Sequence, residues 1–353
     1  MGDGDGRGQV RLPVLQVQFC LAVGEDRGRA VTAVQQWFRE GFAQLGRALY
    51  DPATRLAPAE LHVETRLARR VPHAVSIMLA IPQRGVDDYL FTAYSPALFD
   101  ALVESLVDVP IGAHVSFTAN DADGDTDGST LLLDVDRIDS DAGTWLLVRL
   151  LTLRTPFAAT DGMAPLLAFV RSVANLANPM HGEIAWGNHR QESVFELAIA
   201  ANPKRTLAHA RQTLRGYSWL TILPEEIGQH LGGLDALRSS GAFVEVEHLD
   251  AGGFWCRATP SIMEYDWAAA ERVFQVVAPA LPPGQPNMRR VPQPNALSAR
   301  NAAHLQNLVT RLHQPAHERR HEHALGQRGA VGPLKLHRLF PYVLLSVRLV
   351  REC

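Results

Sequence analysis

Apolar positions along the chain change their period several times, and each change marks an element. Residues 10 to 23, VRLPVLQVQFCLAV, form a strand-like apolar run after a Gly- and Asp-rich start. Val31, Val34, Phe38, Phe42, Leu45 and Leu49 then recur at spacings of three and four, the stripe of an amphipathic helix that Trp37 widens. VETRLARRV, AVSIMLAI and DYLFTAYS read as strands, AHVSFT and STLLLDVDRI as a strand pair, and TWLLVRLLTL as another apolar strand. Near Asp161 the helical period returns in GMAPLLAFVRSVANLA, through Leu166, Leu167, Val170, Val173 and Leu176, and stops at the turn NPMHG. A short strand EIAW, a helix through ESVFELAIA, the strand GYSWLTIL, a helix from Pro224 to Leu231, the strands AFVEVEHL and FWCRA, and a helix from Asp266 follow.

This irregular alternation predicts an α+β fold: mixed, largely antiparallel sheet or sheets with packed amphipathic helices, not a regular doubly wound sheet. The predicted organisation is a frayed start over 1–9, one α+β domain over 10–312 with two subdomains at 10–158 and 160–285, and a poorly ordered tail over 313–353. Prolines in PALPPGQPNMRRVPQPN mark the end of packed structure, and ALSARNAAHLQNLVTRL reads as one more helix before the tail.

At 353 residues, with 46% apolar and 20% charged residues, the chain can bury a substantial core, and nothing places it among disordered, collagenous or coiled-coil proteins. No stretch approaches the ~20 apolar residues of a membrane span. MGDGDGRGQV lacks the apolar core of a signal peptide, so the expected compartment is the cytoplasm. Cys20, Cys256 and Cys353 lack CxxC spacing and imply neither a disulfide framework nor a cysteine zinc site. The net charge of −3 hides a split. From Arg289 onward lie 11 of the 34 Lys and Arg and 3 of the 37 Asp and Glu, leaving 23 against 34 in 1–285, a net of −11. An acidic body is a poor nucleic-acid binder, because cations must replace phosphate counterions, but it suits a basic protein partner.

Two motifs invite metal chemistry. NDADGDTDGSTLLLD, residues 120 to 134, sets Asp123, Asp125 and Asp127 at positions 1, 3 and 5 of a calcium loop, Gly128 at 6 and Asp134 at 12. Its flanks are strand-like where an EF-hand needs helices, and position 12 is Asp instead of a bidentate Glu. Gly and Asp between two apolar runs equally suit a hairpin connection. His317-Glu318-Arg319-Arg320-His321 satisfies the HEXXH zinc pattern, but Pro315, the two arginines and Glu322 do not make the apolar helix that the motif requires. A metal-dependent hydrolase on HERRH and a calcium-responsive interaction protein on 121–134 stand as the alternatives. GxSxG, Walker and GxGxxG patterns are missing. His73, His181, His189, His209, His230 and His248 are scattered, as surface or capping residues would be. Glu225-Glu226 fall in a first helical turn, where carboxylates suit the dipole. The reading is a non-enzyme with no cofactor and no metal.

The most informative stretch is RGYSWLTILPEEIGQHLGGLDALRSSGAF, residues 215 to 243. A strand from Tyr217 to Leu223 carries Trp219 as a core anchor, Pro224 opens a helix, Gly232-Gly233 stop it, and LDALRSSG forms a short second helix. This segment resembles the signature of the type VI immunity family, associated with VRR-NUC nuclease toxins, through Gly216, Ser218-Trp219-Leu220-Thr221 and Leu231-Gly232-Gly233. WFREGFAQLG, LANPMHGEIAW, FWCRAT and ERVFQVVAPAL add to the likeness, which covers roughly 10 to 312, is strongest over 160 to 280, fits less well from Asp87 to Leu151, and leaves out the tail.

The resemblance implies a cytoplasmic antitoxin that blocks a cognate type VI effector by covering its surface, with no catalysis and no direct contact to nucleic acid or membrane. Independently, an acidic body complements the basic surface of a nuclease. Asp121, Asp123, Asp125, Asp127, Asp134, Asp136, Asp139 and Asp141 form the densest acidic run and are the expected partner-facing residues.

Overall fold

A computed structural model of the chain describes residues 14–24, 26–46, 75–82, 89–108, 112–120, 126–153, 163–187, 192–199 and 201–282. The 1–9 start, VETRLARRV, ALSARNAAHLQNLVTRL and the basic tail with its HERRH motif fall outside them.

The core is a single ten-stranded sheet in the order β3-β2-β4-β5-β6-β1-β7-β8-β10-β9. Its strands are β1 Val14–Ala22, β2 Val75–Pro82, β3 Tyr89–Ala93, β4 Gly112–Asn120, β5 Thr126–Ser140, β6 Gly143–Leu153, β7 His181–Gly187, β8 Leu220–Leu223, β9 Glu245–His248 and β10 Phe254–Arg257. Every pairing is antiparallel. The architecture is the mixed α+β class with amphipathic helices that the apolar pattern predicts. β1 sits between β6 and β7, so the strands drawn from 10–158 and from 160–285 belong to one continuous sheet.

Both faces of β1 are buried, which is why it reads as an apolar run and occupies the middle. Leu15, Val17, Phe19 and Leu21 turn to the first face, Gln16, Gln18 and Cys20 to the second. Helices Arg27–Glu40, Pro96–Ser105 and Met163–Ala174 supply buried residues to the core on the first face. Asp26 caps the first helix by accepting from the Arg29 amide at 3.0 Å. Trp37 packs edge-on to Phe19, with ring centroids 5.1 Å apart, and lies 4.8 Å from Phe169, so strand and helices lock through three aromatic rings. Leu131, Leu133, Val148, Leu150, Ile184 and Trp255 continue this core across the sheet.

The second face carries two smaller apolar clusters. One gathers Cys20, Ile138, Trp145, Leu147, Met180 and Leu207. The other gathers Phe195, Tyr217, Leu223, Phe254, Cys256 and residues of the helix Trp267–Val277.

The strand read in DYLFTAYS stands as β3, and the helix Pro96–Ser105 after it was not read; Ser95 accepts from the Leu98 amide at 3.3 Å and Pro96 opens the first turn, a start signal present in the sequence. One local reading is corrected. The strand expected from Tyr217 begins only at Leu220. The Ser218 hydroxyl shares its one proton between the carbonyls of Leu220, at 2.8 Å, and Ile184, at 3.0 Å, while its amide donates to Thr221 Oγ1 at 3.0 Å. These local bonds divert the backbone from the ladder.

Candidate functional site

The expected acidic surface divides. Asp121, Asp123 and Asp125 lie outside the described residues, and of Asp127 only its backbone place on β5 is described. Asp134 is buried, and the Arg149 guanidinium on β6 donates to both Asp134 and Asp136. Asp134 is therefore spent inside the chain: it is neither an exposed contact nor free to close a calcium loop as its twelfth ligand. The elements flanking 121–125 are β4 and β5, paired with each other as in a hairpin, and no helices stand where an EF-hand requires them. Asp139 and Asp141, at the β5–β6 turn, are exposed. Although slight burial opposes it, hydrogen bonds from Thr144 Oγ1 at 2.7 Å and Arg137 Nε at 3.0 Å hold the Asp139 carboxyl below the usual range.

The Arg149 pair belongs to a larger array. Direct cross-strand partners run His114–Asp134, Asp134–Arg149, Arg149–Gln18, Gln18–Glu183 and Glu183–Thr221, a row of six polar side chains over six adjacent strands on the second face. Asp134, Arg149, Gln18, Glu183 and Thr221 are all buried. His181, one pleat along from Glu183, is also fully buried, which corrects its reading as a surface or capping residue. Among the described residues, Arg149 Nε, Gln18 Nε2, Glu183 Oε2 and both His181 ring nitrogens find no hydrogen-bond partner. Each such buried group costs about 1–3 kcal/mol, so together they rival the ~5–15 kcal/mol net stability of a typical fold.

Burial, partly offset by Asp136 and reinforced by Arg149, pushes the His114 imidazole down to about 4. Below the unfolded value of 6.5 the unfolded chain then takes a proton that the native chain refuses. Stability is complete above about 6.5 and falls as the pH drops toward 4, by up to roughly 3 kcal/mol. His114→Gln should remove that slope in urea unfolding at a series of pH values; an unchanged slope would assign it elsewhere.

A second buried charge pair closes the face. Ser193 and Glu196 form a capping box, the Glu196 amide donating to Ser193 Oγ at 3.0 Å and the Ser193 amide to Glu196 Oε2 at 2.8 Å. Arg215, the first residue of the signature segment, donates from Nε and Nη2 to the two oxygens of Glu196, both at 2.8 Å, and from Nη1 to Cys20 Sγ at 2.8 Å. Burial pushes the Cys20 thiol up to about 11, with Arg215 pulling the other way. Cys256 is pushed up further by burial alone. Both thiols are poor nucleophiles in the folded chain.

The signature segment is tied to the NPMHG turn. Asn178 Oδ1 accepts from the Glu225 amide at 3.2 Å, and the Glu225 carboxylate accepts from Gly253 N at 2.7 Å and contacts His248 Nε2 at 2.8 Å. Glu225 thus braces a neighbouring loop, beyond the dipole role its position suggests. The helix Glu225–His230 starts after Pro224, which stands at its N-cap. Gly232 takes φ +99°, the left-handed stop that Leu-Gly-Gly predicts. Gly228 meets Phe254 so closely that a Cβ there would fall 2.0 Å from the ring.

Beside this segment lies a cleft of about 230 Å³, lined by the Asp26–Arg29 and Glu226–Arg211 ion pairs and by Asn178. Its charges are already balanced. Among the described residues no three His, Cys, Asp or Glu side chains converge as a metal site requires, and no helix is long and apolar enough to cross a membrane.

No protein-family model matches the chain, and no curated protein matches it. Its structure is similar to the Pseudomonas aeruginosa T6SS protein PA0821 over 85% of each chain, at 13% identity and a TM-score of 0.47.

Proposed function

We propose that this chain is an immunity protein: it binds a basic effector protein, of the nuclease class, and blocks it by covering its working surface, without making or breaking covalent bonds. The observation that carries the reading is the exposed carboxylate pair Asp139 and Asp141 at the tip of the long β5–β6 hairpin, on a body whose net charge is −11 through residue 285. β5 and β6 stay paired up to Ser140 and Gly143, and Val23 donates to the Thr144 carbonyl, so the tip is held by the sheet and little ordering is needed on binding. Opposite charges across an interface raise the association rate and reject like-charged partners.

The test is co-expression with the product of a neighbouring effector-like reading frame, followed by binding kinetics with the purified pair. Rescue of growth is expected, with an association rate that falls steeply with salt. Asp139→Lys with Asp141→Lys should slow association about tenfold or more and leave the unfolding midpoint nearly unchanged. Lack of rescue by the unmodified chain would reject the immunity reading; rescue with unchanged kinetics in the double variant would move the contact off this hairpin.

A further inference from the structure

The unmet hydrogen-bonding atoms on the second face are contiguous. Arg149 stands opposite Gln18, Gln18 opposite Glu183, and His181 precedes Glu183 by one pleat on the same strand. Register therefore places the residues that bear an unmet Nε–H donor, an unmet Nε2 donor and an unmet Oε2 acceptor on three neighbouring strands of one face, β6, β1 and β7. All four residues are buried, Gln18, His181 and Glu183 almost completely.

Gln18 and Glu183 are the telling pair. One has an unmet donor, the other an unmet acceptor, and they are direct cross-strand neighbours, yet they do not bond to each other. Gln18 uses its Oε1 to accept from Gln16 Nε2 at 2.8 Å, which fixes the amide in place. Glu183 Oε2 lies 3.8 Å from His181 Nε2, beyond hydrogen-bond reach.

We infer that β6, β1 and β7 hold a buried hydration site, with ordered water bridging Arg149, Gln18, Glu183 and His181. The guest must accept from Arg149 and Gln18 and donate to Glu183, and water does both. An anion gains nothing here, because Arg149 is already paired with Asp134 and Asp136 and Arg215 with Glu196, and a cation that met Glu183 could not accept from the Arg149 and Gln18 donors. At ~3 hydrogen bonds per buried water, about two molecules serve the atoms concerned. Because β1 and β7 join the strands from either side of residue 160, this water is a structural component of the joint between them.

The test is a crystal structure of the full chain at a resolution that shows ordered water, paired with mass spectrometry of small molecules released when the same preparation is denatured. Discrete spherical density bridging Gln18 Nε2 to Glu183 Oε2 and reaching a His181 ring nitrogen is expected, with no stoichiometric compound released. A direct Gln18–Glu183 hydrogen bond with no density between them would overturn the assignment. So would a polar metabolite released one-to-one.

Discussion

Arg215→Met should destabilise the folded chain by about 3–5 kcal/mol, read as a lower urea midpoint with an unchanged slope. The guanidinium is fully buried and serves both oxygens of the equally buried Glu196. Removing it strands a carboxylate that water cannot reach. Glu196 also receives the Ser193 amide and the Thr206 hydroxyl, so the helix Val194–Ile199 loosens with it. Arg215→Met combined with Glu196→Leu should recover a large part of the loss, because the uncompensated charge goes with the carboxylate. The broken capping box keeps the recovery incomplete. A single variant as stable as the unaltered chain would show that the pair contributes nothing net.

Trp219→Ala should cost a similar ~3–5 kcal/mol, for a different reason. The indole is fully buried in the main core, and its Nε1–H donates to the Thr259 carbonyl at 2.9 Å. Alanine leaves a cavity and an unserved carbonyl together. Trp219→Phe separates the two terms: most of the volume returns and the hydrogen bond does not, so a loss of about 1–3 kcal/mol is expected. Equal losses in both variants would place the whole effect in the hydrogen bond. Growth rescue by Trp219→Phe at permissive temperature would distinguish a stability role from a contact with the partner.

The long periodic elements were legible because burial imposes a period on the sequence. The apolar strands β1, β5 and β6 and the helix Met163–Ala174 stand where the pattern puts them, as does the Trp37 stripe as far as Leu45, where an α-helix over Arg27–Glu40 passes into a π-helical stretch over Gly41–Gly46; Leu49 lies outside the described residues. The helix Pro96–Ser105 went unread because it follows directly on the strand β3, although Ser95-Pro96 announces a helix start. Ser193 and Glu196 also carried a readable capping-box spacing that the apolar count overlooks.

Charge behaved otherwise. The acidic run looks uniform along the chain, yet alternation on β5 sends Asp134 and Asp136 to Arg149 on the second face and leaves Asp139 and Asp141 exposed at the hairpin tip. His181 and Glu183, two unremarkable residues of HGEIAW, become neighbours of Gln18 and Cys20 only through pairing across some 160 residues.

The sequence by itself determined the class of fold, the placement of the strongly periodic helices and strands, the glycine stop at Gly232 and the acidic character of the body, since each follows from local geometry or a sum over residues. Only the tertiary structure decided strand order, the central place of β1 and which polar groups share a buried face. Those depend on register between distant segments, and a strand carries the period of its own side chains but no record of the neighbour it will meet.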